Sequence, residues 1–159
     1  MSERVFIGLG ANLGDSAATL DRAEQALAAL PGTRLVAASP RYRSAPLQAS
    51  GPDFLNAVVE LATNLEPAAL LAALHGIEAA HGRQRPYPNA PRTLDLDLLL
   101  FGQRVMDTRT LRLPHPRLHE RAFVLAPLLD LAPDLVHPSL GGLRAHYAHV
   151  SGQAIERLT

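Results

Sequence analysis

Read as a β-strand, the stretch Pro91-Arg92-Thr93-Leu94-Asp95-Leu96-Asp97-Leu98-Leu99-Leu100-Phe101-Gly102 divides into two faces. Leu94, Leu96, Leu98 and Leu100 fall on one side and Asp95 and Asp97 on the other, because successive side chains of a strand alternate. A helix would scatter the two aspartates around its axis. Two residues apart on a strand, the carboxylates stand roughly 6–7 Å from each other. At that spacing they can share one Mg²⁺ or hold a pair, since hard cations take oxygen ligands. Arg92 precedes the strand, where it can meet the phosphates such metals carry. The competing plain reading is the wet face of a half-exposed sheet. Four leucines opposite the aspartates argue for a firmly mounted strand, and Pro91-Arg92-Thr93 sets a cation beside two anions.

Composition narrows the classes. A chain of 159 residues suits one domain, expected over 1–159, with a real core. Hydrophobic content of 47% and charged content of 19% exclude a disordered chain. Fifteen basic and fifteen acidic residues balance, which argues against a broad nucleic-acid or membrane-surface footprint. No apolar run approaches a membrane span, and Val5 to Leu9 is too short for a signal-peptide core. There are no cysteines, hence no disulfide and no thiolate zinc site. A cytoplasmic protein, monomeric and without nucleic-acid or membrane partners, is expected.

Upstream, Val5-Phe6-Ile7-Gly8-Leu9 reads as a short strand buried on both sides, and Gly10 to Gly14 as a turn. That turn lacks the Lys-Ser/Thr ending of a phosphate loop. Asp15 or Ser16 can cap a helix striped by Leu20, Ala23, Leu27 and Leu30, which Pro31-Gly32 stops. Thr33 to Ala38 predicts a second strand, extending toward Tyr42, and Ser44 to Pro52 a loop. In a third strand, Asp53 to Thr63, Leu55, Ala57, Val59 and Leu61 face one way, and Phe54, Asn56, Val58 and Glu60 the other. Pro67 opens a second helix whose inward stripe is Leu70, Leu74, Ile77 and His81. Arg83 to Pro91 is a proline-broken loop whose arginines could close on phosphates as a lid.

After the aspartate strand come short extended pieces at Arg104 to Met106 and Leu111 to Leu113. A short helix over Glu120 to Asp130 follows, restricted early by Pro127. The remainder, ending in a tail helix, reads as peripheral. The order β-α-β-β-α-β predicts an α+β, ferredoxin-like core. It is expected as an antiparallel sheet with helices on one face, the active site on the other, and a C-terminal extension.

The aspartate stretch resembles the signature of the 6-hydroxymethyl-7,8-dihydropterin pyrophosphokinase family, and the resemblance covers nearly the whole chain. Gly8-Leu9-Gly10-Ala11-Asn12-Leu13-Gly14-Asp15 is similar to the family's opening Gly-Ser-Asn-Leu-Gly, with Ala11 for Ser. Tyr42-Arg43-Ser44-Ala45-Pro46-Leu47, Phe54-Leu55-Asn56-Ala57-Val58, Ile77-Glu78, Gly82-Arg83, Leu113-Pro114-His115-Pro116 and Arg121-Ala122-Phe123-Val124-Leu125 follow in the family's order.

The resemblance implies transfer of a pyrophosphoryl group from ATP, the co-substrate, to the pterin's hydroxymethyl oxygen, leaving AMP. It implies two Mg²⁺ ions on Asp95 and Asp97, with Arg83 and Arg92 joining them in catalysis. It implies nucleotide contacts from Glu78, Arg83, Arg92, Leu98, His115 and Arg121. Pterin contacts would come from Ser44, Leu47, Phe54, Asn56 and Phe123. A flat heterocycle wants aromatic faces and a paired donor and acceptor, which Phe54, Phe123 and Asn56 can supply. Two departures stand out. The lid lacks the tryptophan the family often carries before Pro-Arg, with Tyr87 or Asn89 in that space, and Arg109 and Arg112 do not match residue for residue.

Three rival readings fit less of the chain. A nuclease or nucleotidyltransferase using the two aspartates would ignore Phe54, Asn56 and Phe123. A ferredoxin-like RNA-binding module sits poorly with zero net charge, 4% aromatics and no RNP1-type segment. A zinc hydrolase built on His115, His119 and Glu120 lacks the His-Glu-x-x-His spacing.

Overall fold

In the computed structural model, which describes residues 2–12, 14–45, 53–81 and 94–158, β1 (Glu3–Ala11) runs inside an antiparallel sheet. It pairs on one side with β4 (Phe54–Thr63) and on the other with β5 (Asp95–Phe101). Both edges of β1 are therefore satisfied, and Val5 to Ala11 is buried throughout, which is why this strand reads as a continuous apolar run. Beyond β4, two short strands share its other edge: β2 (Thr33–Ala38) toward its end and β3 (Tyr42–Ser44) at its start. The break between them contains Pro40, which has no N–H to continue a ladder. Ser39 bridges the gap: its N–H donates to the Val58 carbonyl at 2.9 Å, and its Oγ accepts from the Val58 N–H at 2.9 Å. The spatial order β5, β1, β4, β2/β3 is the ferredoxin-like arrangement expected from the element order.

Two helices cover one face as predicted. Helix α1 (Ser16–Ala28) is capped by Asp15, whose side chain accepts from the Ala18 N–H at 3.1 Å. Helix α2 (Pro67–Ala80) starts on Pro67, where the missing N–H has no helical partner to lose. Leu20 and Leu27 of α1 and Leu70 and Leu74 of α2 are fully buried against Ile7, Val59 and Leu61 of the sheet. His81 ends α2 half-buried, its ring Nδ1 at 2.8 Å from the Ile77 carbonyl.

The opposite face is covered over part of its length by α3 (Ala122–Leu131), preceded by a 3₁₀ turn at Leu118–Glu120. Leu118, Leu125 and Leu128 pack there on Phe6, Val58 and Leu99. Small hairpins flank this helix: β6 (Met106–Asp107) with β7 (Arg112–Leu113), and β8 (Val136–His137) with β9 (Gly141–Gly142).

Three expectations are corrected. First, Leu100 does not share a face with Leu94, Leu96 and Leu98. Ile7 pairs with Leu98 but Phe6 pairs with Leu100, so Leu99 is an extra residue in β5. One inserted residue reverses the facing of everything after it. Leu100 joins the α3 side, and Phe101 takes its place under the helices. Second, Gly10 belongs to β1 and not to a turn. Gly10 and Ala11 continue the ladder opposite Asn56 and Leu55, and the positive φ of 66° falls at Gly14.

Third, the tail is not peripheral. In place of a tail α-helix, a 3₁₀ run at Leu143–His149 leads to β10 (Ile155–Arg157), which pairs with β3 and extends the sheet. Gln153 satisfies the start of α3, accepting from the Ala122 N–H and donating to the Glu120 carbonyl, each at 2.9 Å. Among the described residues no helix is long and apolar enough to cross a membrane.

Candidate active site

Register brings the predicted residues into rows. Across the sheet, Tyr42, Asn56, Gly10 and Asp95 are successive partners, and Val58, Gly8 and Asp97 form the next row. Directly paired residues project from the same face. Asn56 and Asp95 therefore stand on one surface two strand spacings apart, roughly 10 Å, with Gly10 between them. A Cβ on Gly10 would lie 3.4 Å from Asn56 Oδ1 and 3.6 Å from Phe54 Cδ1. On Gly8 it would touch the Leu99 side chain at 3.5 Å. Gly10 thus floors a trough between an aromatic–amide end and a carboxylate end, while Gly8 is covered by the Leu99 side chain.

At the first end, Asn56 is buried and its Nδ2 donates to Ser44 Oγ at 2.7 Å and, more weakly, toward the Tyr42 carbonyl at 3.5 Å. Its donor side is thereby held on β3, and its Oδ1 lies over Gly10 as an acceptor. Phe54, two residues earlier on β4, shares this face and is half-buried. Tyr42 donates its hydroxyl to Asp130 of α3, which ties β3 to that helix. Burial, and then the Asp130 carboxylate, push the Tyr42 phenol above its ordinary range. Phe123 lies in the first turn of α3, half-buried, with the Arg121 guanidinium 5.7 Å from its ring centre.

At the second end, Asp95 and Asp97 are half-exposed on β5. His115 is fixed against the same strand: its backbone N–H donates to the Leu99 carbonyl at 2.8 Å. Its Nδ1 accepts from the Arg117 N–H at 3.2 Å, so the neutral ring carries its proton on Nε2. Burial lowers the His115 pKa; Asp97 opposes that shift, and Arg121 and Arg117 add to it. His115, Asp97 and Arg121 are thus electrostatic neighbours.

Two further candidate residues lie away from the aspartate face or are deeply buried. Leu98 is buried in the core beneath the helices, opposite the aspartates, because it pairs with Ile7 ahead of the bulge. Its side chain is not on the aspartate face. Glu78 is almost wholly buried at the end of α2, and its Oε2 accepts from the Leu96 N–H at 2.9 Å. Leu47, Arg83 and Arg92, and the lid from Arg83 to Pro91, lie outside the described residues. Sequence reading missed Gly10 as the trough floor. Its signal was a side-chain-free position on the Asn56 face near the end of an apolar strand.

The aspartate pair fits Mg²⁺ better than a transition metal. Both ligands are hard oxygens, and Mg²⁺ is usually held by one or two carboxylates plus phosphates and water. Among the described residues no group of three or more His, Cys, Asp or Glu side chains is gathered to hold an ion by protein alone. His115, His119 and Glu120 are not gathered into such a group.

A family profile described as 7,8-dihydro-6-hydroxymethylpterin-pyrophosphokinase (HPPK) matches residues 6–133. The 2-amino-4-hydroxy-6-hydroxymethyldihydropteridine pyrophosphokinase of Pseudomonas aeruginosa is 48% identical over 159 residues, covering 99% of this chain and 98% of the relative. The protein of the same name from Methylorubrum extorquens is 46% identical over 159 residues, with 98% of each covered. A crystal structure of Plasmodium falciparum HPPK-DHPS superposes with a TM-score of 0.76 at 14% identity, a likeness of fold. It matches 94% of this chain, which spans 46% of the solved one. The profile match and the full-length identity of both bacterial relatives place this chain in the 7,8-dihydro-6-hydroxymethylpterin-pyrophosphokinase family.

Proposed function

We propose that this chain transfers the pyrophosphoryl group of ATP to the hydroxymethyl oxygen of 6-hydroxymethyl-7,8-dihydropterin, giving AMP and the pterin diphosphate for folate synthesis. The observation that supports this reading is the row Asn56–Gly10–Asp95, with an amide and a carboxylate on one face and a glycine between them.

The pterin lies between Phe54 and Phe123, with the Asn56 Oδ1 accepting from its edge and the Ser44 hydroxyl holding the amide in aim. Its hydroxymethyl group then points along Gly10 toward the aspartates. The hydroxymethyl oxygen bonds to the β-phosphorus as the bond from that phosphorus to the α–β bridging oxygen breaks, so AMP leaves. Asp95 and Asp97 hold Mg²⁺, two ions in this reading, whose chemistry is to neutralise phosphate charge and favour ionisation of the attacking hydroxyl. His115 donates from Nε2 to a phosphate oxygen, and Arg121 adds positive charge beside it. Arg83 and Arg92 contact phosphates and Leu47 the pterin, by resemblance to the family. A monomer in the cytoplasm completes the reading.

Identifying the nucleotide product tests it. Purified protein with MgATP and the pterin should give AMP in equal amount to pterin diphosphate, and only with Mg²⁺ and pterin both present. A γ-phosphoryl kinase would give ADP, and a nucleotidyltransferase would release free pyrophosphate. Either product, or turnover without pterin, would overturn the assignment.

A further inference from the structure

Among the described residues, strand β5 pairs with β1 on one side only, so its outer row of backbone groups needs partners from elsewhere. Two hydrogen bonds between described residues reach that row. The Leu99 carbonyl, at the bulge, accepts from the His115 N–H at 2.8 Å. The Leu96 N–H donates to Glu78 Oε2 at 2.9 Å. Leu96 is the residue between the two aspartates, and Asp97 lies between the two fastened points. Glu78 follows Ile77 in the last turn of α2, whose packed Leu70 and Leu74 fix the backbone that carries it. Glu78 is 3% exposed. A charged acceptor holds the N–H more tightly than a neutral one.

We propose that Glu78 is a positioning residue: by gripping the edge strand at Leu96 it sets the separation and aim of the Asp95 and Asp97 carboxylates toward divalent cations. Its part is played from the outer edge of the strand, through the Leu96 backbone. This deepens the reading above and rests on its assignment of the aspartates as cation ligands. Asp95 and Asp97 leave the strand on the trough side, while the bond to Leu96 acts on the backbone from the outer edge. Loss of that bond lets the first turn of the pleat rock about the Gly10–Asp95 pair, which moves both carboxylates together.

The test uses Mn²⁺ as the probe, with the full chain and a non-hydrolysable ATP analogue, followed by electron paramagnetic resonance. Glu78→Ala should weaken Mn²⁺ binding by about tenfold and lower kcat, with the pterin KM changed by less than about twofold. In the ligand-free protein its Leu96 amide should exchange faster by nuclear magnetic resonance. Glu78→Gln keeps an oxygen able to accept the same bond, and should retain amide protection and Mn²⁺ affinity within about threefold of wild type. Should Glu78→Ala fail to fold, Glu78→Gln decides alone: protection and affinity must stand or fall together. Wild-type affinity in a variant with an unprotected Leu96 amide overturns the proposal, as does lost affinity with the amide still protected. Asp97→Asn separates the levels. If it binds Mn²⁺ as wild type does, the cation reading fails and the proposal with it. If it loses Mn²⁺ while Glu78→Ala does not, only the role of Glu78 fails.

Discussion

The side-chain amide of Asn56 donates to the hydroxyl of Ser44 at 2.7 Å across the β3–β4 pair, with both side chains buried. The bond orients the Asn56 carbonyl oxygen over Gly10, where a heterocycle edge can donate to it. Asn56→Ala removes that acceptor from a dry site, and pterin affinity should fall by about 1–3 kcal/mol while MgATP affinity holds. Ser44→Ala should cost less, since Oδ1 survives and only its aim is loosened. Calorimetry with each substrate checks both variants, and unchanged pterin binding in Asn56→Ala would take Asn56 out of recognition.

Gly10→Ala should raise the pterin KM more than it alters stability. The added methyl would meet Asn56 Oδ1 at 3.4 Å and stand in the trough between Asn56 and Asp95. Gly10 has an ordinary strand conformation, so alanine brings no backbone strain, and stability should stay within about 1 kcal/mol. Steady-state kinetics and urea unfolding separate the two effects. A pterin KM equal to that of wild type would mean the ligand does not cross Gly10.

Asp95→Asn and Asp97→Asn should each nearly abolish turnover without disturbing the fold. Both side chains are half-exposed, so the neutral amide leaves no buried group stranded. Asparagine keeps the shape and removes the charge that Mg²⁺ requires. Melting temperatures should match wild type, and full turnover at saturating Mg²⁺ in either variant would refute the metal assignment.

Stability should decline on mild acidification, partly through His137. Its Nδ1 accepts from the Ser139 and Leu140 N–H groups, each at 3.0 Å, which requires that nitrogen to be unprotonated. Burial, followed by nearby His119 and His146, holds the His137 pKa below its usual value. A lowered folded-state pKa means the unfolded chain binds the proton more readily. The contribution of His137 is therefore complete above about pH 6.5 and is lost as pH falls below that, with a slope of at most about 1.4 kcal/mol per pH unit. His137→Gln should flatten the loss between about pH 7.5 and about pH 5.5, roughly one unit either side of the free histidine value, as measured by urea unfolding. Part of the slope should survive, because burial lowers His115 in the same direction. An unchanged slope in His137→Gln would rule out His137 as a contributor.

Local period and local chemistry made much of this chain legible before folding. Alternation alone set Asp95 and Asp97 on one face and Leu94, Leu96 and Leu98 on the other, and did the same for Phe54 and Asn56 against Ala57 and Val59. Asp15 as a cap and Pro67 as a helix start depend only on neighbouring backbone groups, so both were readable. Alternation failed at Leu99, because a bulge is set by how β5 registers on β1 and not by the residues of β5. The expected turn at Gly10 fails for the same reason: whether a glycine bends the chain or clears space depends on what lies across from it.

What the sequence by itself determined is the set of chemical groups and the face of its own strand on which each sits. Tertiary structure alone decided which strands lie side by side and in what register, and so placed Asn56 opposite Asp95 across Gly10. It also brought the Glu78 carboxylate to the Leu96 amide, eighteen residues further along the chain. Side-chain facing repeats every two residues along one strand, so it is written in local order. Pairing between strands and helix ends distant in sequence is settled only when the whole core closes, because one residue of slip would turn each buried face outward.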